Sequence, residues 1–299
     1  MNLNQIMLAE GVARGSQYRT PPLASRPPER GDMQDQTTAG TLFGAMRANP
    51  PLVQCITNFV AMNIAANVML AAGASPAMVH AEEEAAEFAA ISGALTINIG
   101  TLSAGWLVGM LSAAQSARQA GRPWVLDPVA HYATAFRRRA VAQLLDLQPT
   151  VIRGNASEII ALAGGVSRGQ GVDSRDPVEL AEQSARQLAE RHGCVVAVAG
   201  VTDFVTDGDK ARRIEGGSPL MPQVTALGCS LTCLVGAFAA TAPDNPFDAT
   251  VAALAVFAVA GEQAAAMAEG PGSFSWRFLD ALAALDAGAL TAKARIMPA

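Results

Sequence analysis

From Thr41 onward, short apolar runs rich in β-branched residues alternate with Ala-rich stretches of helical periodicity. The runs predict strands over 52–56, 77–80, 94–99, 124–126, 150–152 and 195–199. The stretches between them predict helices over 105–119, 136–145, 156–163 and 177–191. Strands that are apolar on both faces and separated by helices imply a parallel sheet between two helix layers, a three-layer α/β/α fold. Two further short strands, 204–206 and 211–214, bracket the turn Asp207-Gly208-Asp209 and predict a hairpin, after which only helices are expected. The uncharged run 88–117 is long enough for a membrane span. Gly93, Asn98, Gly100, Ser103 and Gly105 break it into a strand, a turn and a helix. Residues 1–36, rich in Pro, Arg, Ser and Gln, read as a disordered leader or an over-extended start before a single domain over 37–299.

Composition narrows the partners. The chain has 299 residues, 51% of them hydrophobic and 16% charged, enough to bury a sizeable core. A net charge of −5 without a Lys/Arg stripe argues against nucleic acid and anionic membranes, leaving a small molecule. Cys55, Cys194, Cys229 and Cys233 are too few and scattered for a disulfide framework, so a reducing cytoplasm is expected. No His or Cys pair accompanies Cys229 and Cys233 at zinc spacing. An (i, i+4) pair facing the core accounts for them better.

In open α/β sheets ligands collect beyond the carboxyl ends of the strands, so residues that follow strands carry the candidate chemistry. The turn Thr225-Ala226-Leu227-Gly228-Cys229 runs directly into an apolar helix. Its backbone N–H groups and the helix dipole suit a phosphate or developing anion, and a thiol there is expected to have a lowered pKa. The plainer account is a small buried hydrophobe in a helix start. Asp127, before Pro128, offers a carboxylate to magnesium, and Arg153 offers a fork of donors to phosphate. Asn155 and Glu158 stand one helical turn apart, either approaching the same magnesium-linked phosphate or simply forming a capping box. Asn58 and Met78 offer an amide and a thioether to a flat ligand, although Met78 also reads as core filler.

Taken together, these segments resemble the hydroxyethylthiazole kinase family of the ribokinase-like fold, from about Pro51 to the end. The motifs are Ile56-Thr57-Asn58, Gly73-Ala74-Ser75-Pro76-Ala77-Met78, Asn98-Ile99-Gly100-Thr101-Leu102, Leu126-Asp127-Pro128-Val129, Ile152-Arg153-Gly154-Asn155-Ala156-Ser157-Glu158-Ile159, Gly171-Val172-Asp173-Ser174, Gly228-Cys229 and Gly270-Pro271-Gly272-Ser273-Phe274. The resemblance implies transfer of the ATP γ-phosphoryl group to the alcohol of 4-methyl-5-(2-hydroxyethyl)thiazole, with Mg²⁺, in a cytoplasmic homotrimer whose sites lie at subunit interfaces. It also implies residue roles. Met78, Asn58, Ala226 and Gly228 would contact the thiazole alcohol; Arg153, Ala199 and Asp127 would contact ATP; Asp127 and Glu158 would serve the magnesium. Cys229 would be the catalytic residue, where relatives of the fold keep an aspartate.

Three departures from the family pattern stand out. Ala226 replaces the first glycine of the anion loop, Ala199 replaces a threonine that would touch ATP, and Ala130-His131-Tyr132-Ala133-Thr134 replaces a glycine-rich segment. Ala226 is strained if its position needs a positive φ. These departures motivate two alternatives: a thiazole-binding protein with reduced or lost kinase activity, and a kinase for another heterocyclic alcohol such as a hydroxymethylpyrimidine.

Overall fold

Residues 30–165 and 176–299 are described by the computed structural model. Their apolar runs form β1 (Leu52–Ile56), β2 (Ser75–Ala77), β3 (Ala94–Asn98), β4 (Trp124–Asp127), β5 (Val151–Asn155), β6 (Val195–Ala199), β7 (Thr202–Thr206), β8 (Ala211–Glu215) and β9 (Arg295–Pro298). Among the described residues these make one nine-stranded sheet in the order β2-β1-β3-β4-β5-β6-β7-β8-β9. The strands from β2 to β6 in that order pair in parallel, and β7, β8 and β9 close the sheet antiparallel.

Alternation along the strands sends side chains into two cores. Val53, Cys55, Val125, Val151, Val195 and Ala197 face one layer, made of α1 (Arg30–Ala48), α2 (Met62–Ala72), α8 (Leu227–Thr241), α9 (Pro246–Ala265), α10 (Pro271–Ala284) and α11 (Ala287–Lys293). Leu95, Ile97, Trp124, Leu126, Ile152, Val196 and Val198 face the other. That layer comprises α3 (Ala85–Ile91), α4 (Ala104–Gln119), α5 (Ala135–Leu145), α6 (Ala156–Leu162) and α7 (Val178–His192). Helix α8 crosses β1, β3 and β4 so closely that a Cβ on Gly236 would overlap the Thr96 methyl. Glycine therefore sets how near the start of α8 comes to the strand ends.

Several elements differ from expectation. The leader reading overlaps α1, which begins at Arg30 and anchors on buried Ala39, Phe43 and Met46, with Asp35 accepting from Arg212 Nε at 2.5 Å. Residues 1–29, and the motif Gly171-Val172-Asp173-Ser174, lie outside the described residues. Strand β2 is Ser75–Ala77 and not 77–80, because the edge of the sheet tolerates Pro76. The chain does not finish with helices alone. Four residues form β9 on β8, a segment too short to show a periodicity. The 88–117 run does break into β3 and α4. Helix α9 is long and apolar enough to cross a membrane by length and composition, but 83% of its apolar window is buried inside the protein.

Candidate active site

The strand order places the candidate residues in a row. Met78 follows β2, Asn58 follows β1, Asp127 ends β4, Arg153 lies in β5 and Ala199 ends β6, all at the carboxyl edge of the parallel strands. Five strand intervals separate the outermost two, roughly 24 Å at the usual spacing.

The centre of the row is tightly built. Arg153 Nη1 lies 3.7 Å from Asp127 Oδ2, with both side chains buried. Asp127 Oδ2 also accepts from Asn98 Nδ2 at 2.7 Å and from the Thr232 hydroxyl at 2.8 Å. On the other side Arg153 approaches the start of α8, where a Cβ on Gly228 would lie 3.1 Å from Nη1. Arg153 Nε is buried with no hydrogen-bond partner among the described residues, so part of the guanidinium is unspent by the protein. Asn58 Nδ2 reaches Cys229 Sγ at 3.3 Å and Asn98 Oδ1 at 2.9 Å. Asn58, Asn98, Asp127, Arg153, Thr232 and Cys229 are thereby one connected cluster.

Glu158 forms the capping box and does more than cap. Asn155 Oδ1 accepts from the Glu158 N–H, and Glu158 Oε2 accepts from the Asn155 N–H at 2.8 Å, so the capping box is present. Its second oxygen, Oε1, accepts from the Ala130 N–H at 3.0 Å and ties down the loop after β4. Burial, and then the charge of Asp127, push the Glu158 carboxyl up to about 7. Burial also raises Asp127, against the pull of Arg153, Thr232 and Asn98.

Cys229 departs from the expectation of an acidified thiol. Burial and the neighbouring Asp127 push it up to about 11, outweighing the donor from Asn58 and the charge of Arg153. It is a neutral thiol near pH 7. Its partner at (i, i+4), Cys233, is fully enclosed between Thr96 and Cys55, so only one of the pair faces the core. Ala226 has φ +62°, the left-handed region that strains a residue bearing Cβ. The His131 ring is buried and packs edge-on against Tyr132, while Ala130 adopts φ +47° under the hold of Glu158. Met78 is half-buried against the core and stands apart from the cluster; its segment is held by Gln54 Nε2, which donates to Val79 O at 3.1 Å. Ala199 pairs with Asn155 in the ladder.

Asn98 and Thr232 carried no assignment from the sequence, nor did Asp203, whose carboxyl accepts from the Gly200 N–H and is pushed by burial up to about 6. The rule that found Asp127 applies equally to Asn98, since it too ends a parallel strand. Thr232 shares a helix face with Cys229 three residues earlier.

No group of three or more His, Cys, Asp or Glu able to cage a metal occurs among the described residues. Asp127 and Glu158 are already hydrogen-bonded but keep lone pairs. They fit a magnesium ion that keeps most of its waters and arrives with phosphates, and do not form a cage of their own.

An unspent arginine, two buried acids and a helix start meet on one rim of the α/β/α fold, a setting that suits a small anionic ligand. The chain belongs to the hydroxyethylthiazole kinase family, whose model matches residues 43–288. It is 82% identical over 261 residues to a hydroxyethylthiazole kinase of Rhizobium rhizogenes strain K84, covering 87% of this chain and 97% of the relative. A Cereibacter sphaeroides relative of the same name is 65% identical over 257 residues, covering 86% and 97%. The solved structure of the hydroxyethylthiazole kinase protein from Pyrococcus horikoshii OT3 superposes with a TM-score of 0.80 at 37% identity, covering 87% of this chain and 98% of that one. Pyridoxal kinase from Staphylococcus aureus, at 14% identity and a TM-score of 0.55 over 72% and 88% of the two chains, shares the fold.

Proposed function

We propose that this chain transfers the γ-phosphoryl group of ATP to the hydroxyl of 4-methyl-5-(2-hydroxyethyl)thiazole, in thiamine salvage. The observation that carries the reading is the position of Arg153, within 4 Å of Asp127 and packed against Gly228 at the start of α8. A guanidinium fork and first-turn amides, which have no acceptor within the helix, then face the same anion. ATP lies toward β5 and β6, where Arg153, Asp127 and Ala199 meet it. The thiazole lies toward β1 and β2, against Asn58, Met78 and the Ala226–Gly228 turn.

Phosphoryl transfer needs positioning and charge neutralisation more than a strong base. Arg153 and the α8 amides offset charge on the transferring group. Cys229, a neutral thiol, orients the acceptor hydroxyl by a hydrogen bond, and the hydroxyl proton passes to an oxygen of the transferred phosphoryl group late, as bonding to phosphorus acidifies it. Asp127 and Glu158 would hold a magnesium ion, which would supply charge neutralisation for the phosphates. The enzyme acts as a cytoplasmic homotrimer with sites at subunit interfaces; Phe59 and Val60, beside Asn58, are 66% and 58% exposed, as residues awaiting a neighbour would be.

Incubating the purified chain with Mg-ATP and the thiazole alcohol should yield ADP and the thiazole phosphate in equal amounts. Tight thiazole binding with no ADP above background would favour the binding-protein reading instead. Turnover only with a hydroxymethylpyrimidine would reassign the acceptor.

A further inference from the structure

We infer that Asn98 is a positioning residue that joins Asp127 and the Cys229 thiol into a single oriented unit, an inference that rests on the phosphoryl-transfer reading of the site. Asn98 ends β3 and sits directly beside Asp127 in the parallel ladder. It is 2% exposed, with Asn58, Asp127 and Thr232 at 5%, 1% and 1%, so the contacts among these four are shielded from water, and only the Cys229 end is partly open.

The two amides have only one orientation open to them, because a backbone N–H can only donate. Gly100 N–H donates to Asn98 Oδ1 at 2.9 Å, which turns Asn98 Nδ2 toward Asp127 Oδ2 at 2.7 Å. Ala61 N–H donates to Asn58 Oδ1 at 3.0 Å, which turns Asn58 Nδ2 toward both Asn98 Oδ1 at 2.9 Å and Cys229 Sγ at 3.3 Å. Donors therefore run outward from the amide pair, one ending on the carboxylate and one on the sulfur.

Two consequences follow for the chemistry. Asp127 meets a donor and never an acceptor from this side, so it is held in one rotamer. Cys229 receives a hydrogen bond at sulfur, so its own S–H is turned away from Asn58. Gly100 makes the arrangement possible, since a Cβ there would lie 2.7 Å from Asn58 Nδ2. Asn98 acts through others: directly on Asp127 and, by way of Asn58, on Cys229.

Steady-state kinetics of the full chain test the assignment. Asn98→Ala is expected to lower kcat by about 10- to 100-fold while KM for ATP and for the thiazole alcohol stays within about threefold. Because Asn98 works through its partners, the loss in Asn98→Ala/Cys229→Ala should fall short of the product of the two single losses by about tenfold. A kcat within twofold of wild type, or losses that simply multiply, would overturn the inference. If Asn98→Ala does not fold, Asn98→Asp keeps the acceptor for Gly100 and Asn58 but sets a carboxylate against Asp127. It should fold and lose at least as much kcat, and full activity in it would equally overturn the inference. A wild-type chain with no kinase activity would instead count against the function proposed above.

Discussion

Replacing Glu158 by Gln separates the structural and electrostatic roles of one buried carboxyl. In the folded protein Glu158 titrates near 7, against 4.5 for the unperturbed group, mainly because burial disfavours its charge. Below pH 4.5 this tighter proton binding contributes its full stabilisation; the contribution is lost as pH rises through about 7. The gap between the two values corresponds to about 3 kcal/mol. Gln abolishes that pH dependence. It also sets an amide NH₂ against either the Ala130 or the Asn155 N–H, where a carboxyl oxygen now accepts, at a cost of about 1–3 kcal/mol. Urea unfolding without nucleotide or magnesium, at a series of pH values from 5 to 8, should show the variant less stable at pH 5 and the difference shrinking by up to about 3 kcal/mol by pH 8. A stability difference that stays constant over that range, or widens with pH, would refute both the raised pKa and its attribution to burial.

Ala226→Gly removes a Cβ from a left-handed residue and should raise stability by a few tenths to about 1 kcal/mol, the larger relief of strain being partly offset by the freer unfolded chain. Calorimetry should record a Tm higher by about 1–3 °C, and a lower Tm would show that the loop does not strain alanine. Cys229→Ala should lower kcat by about tenfold, less than the loss of a base whose pKa matches the working pH, while Cys229→Asp should keep or raise kcat. Full turnover in Cys229→Ala would show that the thiol does not orient the acceptor hydroxyl.

The rim was legible because each parallel strand ends where its apolar run stops, and Asp127, Arg153 and Ala199 sit at those stops. The network behind the rim was not. Asn98 and Asn58 are 40 residues apart, and they meet only because β3 lies between β1 and β4, an order that crossover connections set and local periodicity does not record. The capping-box alternative for Asn155 and Glu158 was readable from spacing alone. That Glu158 has a second backbone partner was not, because Ala130 reaches it from the loop after another strand.

Charge state was the least legible property, and Cys229 shows why. A helix start argues for an acidic thiol, yet the same close packing of α8 on β1, β3 and β4 that delivers Cys229 to the site also buries it beside Asp127. Proximity and desolvation arrive together, and here desolvation wins. Glu158 shows the same competition in an acid. Among the described residues Arg153 is the cation that bears on both Asp127 and Glu158, and one guanidinium cannot neutralise both. Near neutral pH Glu158, raised to about 7, retains its proton part of the time, while Arg153 at 3.7 Å and two donors oppose the burial that raises Asp127.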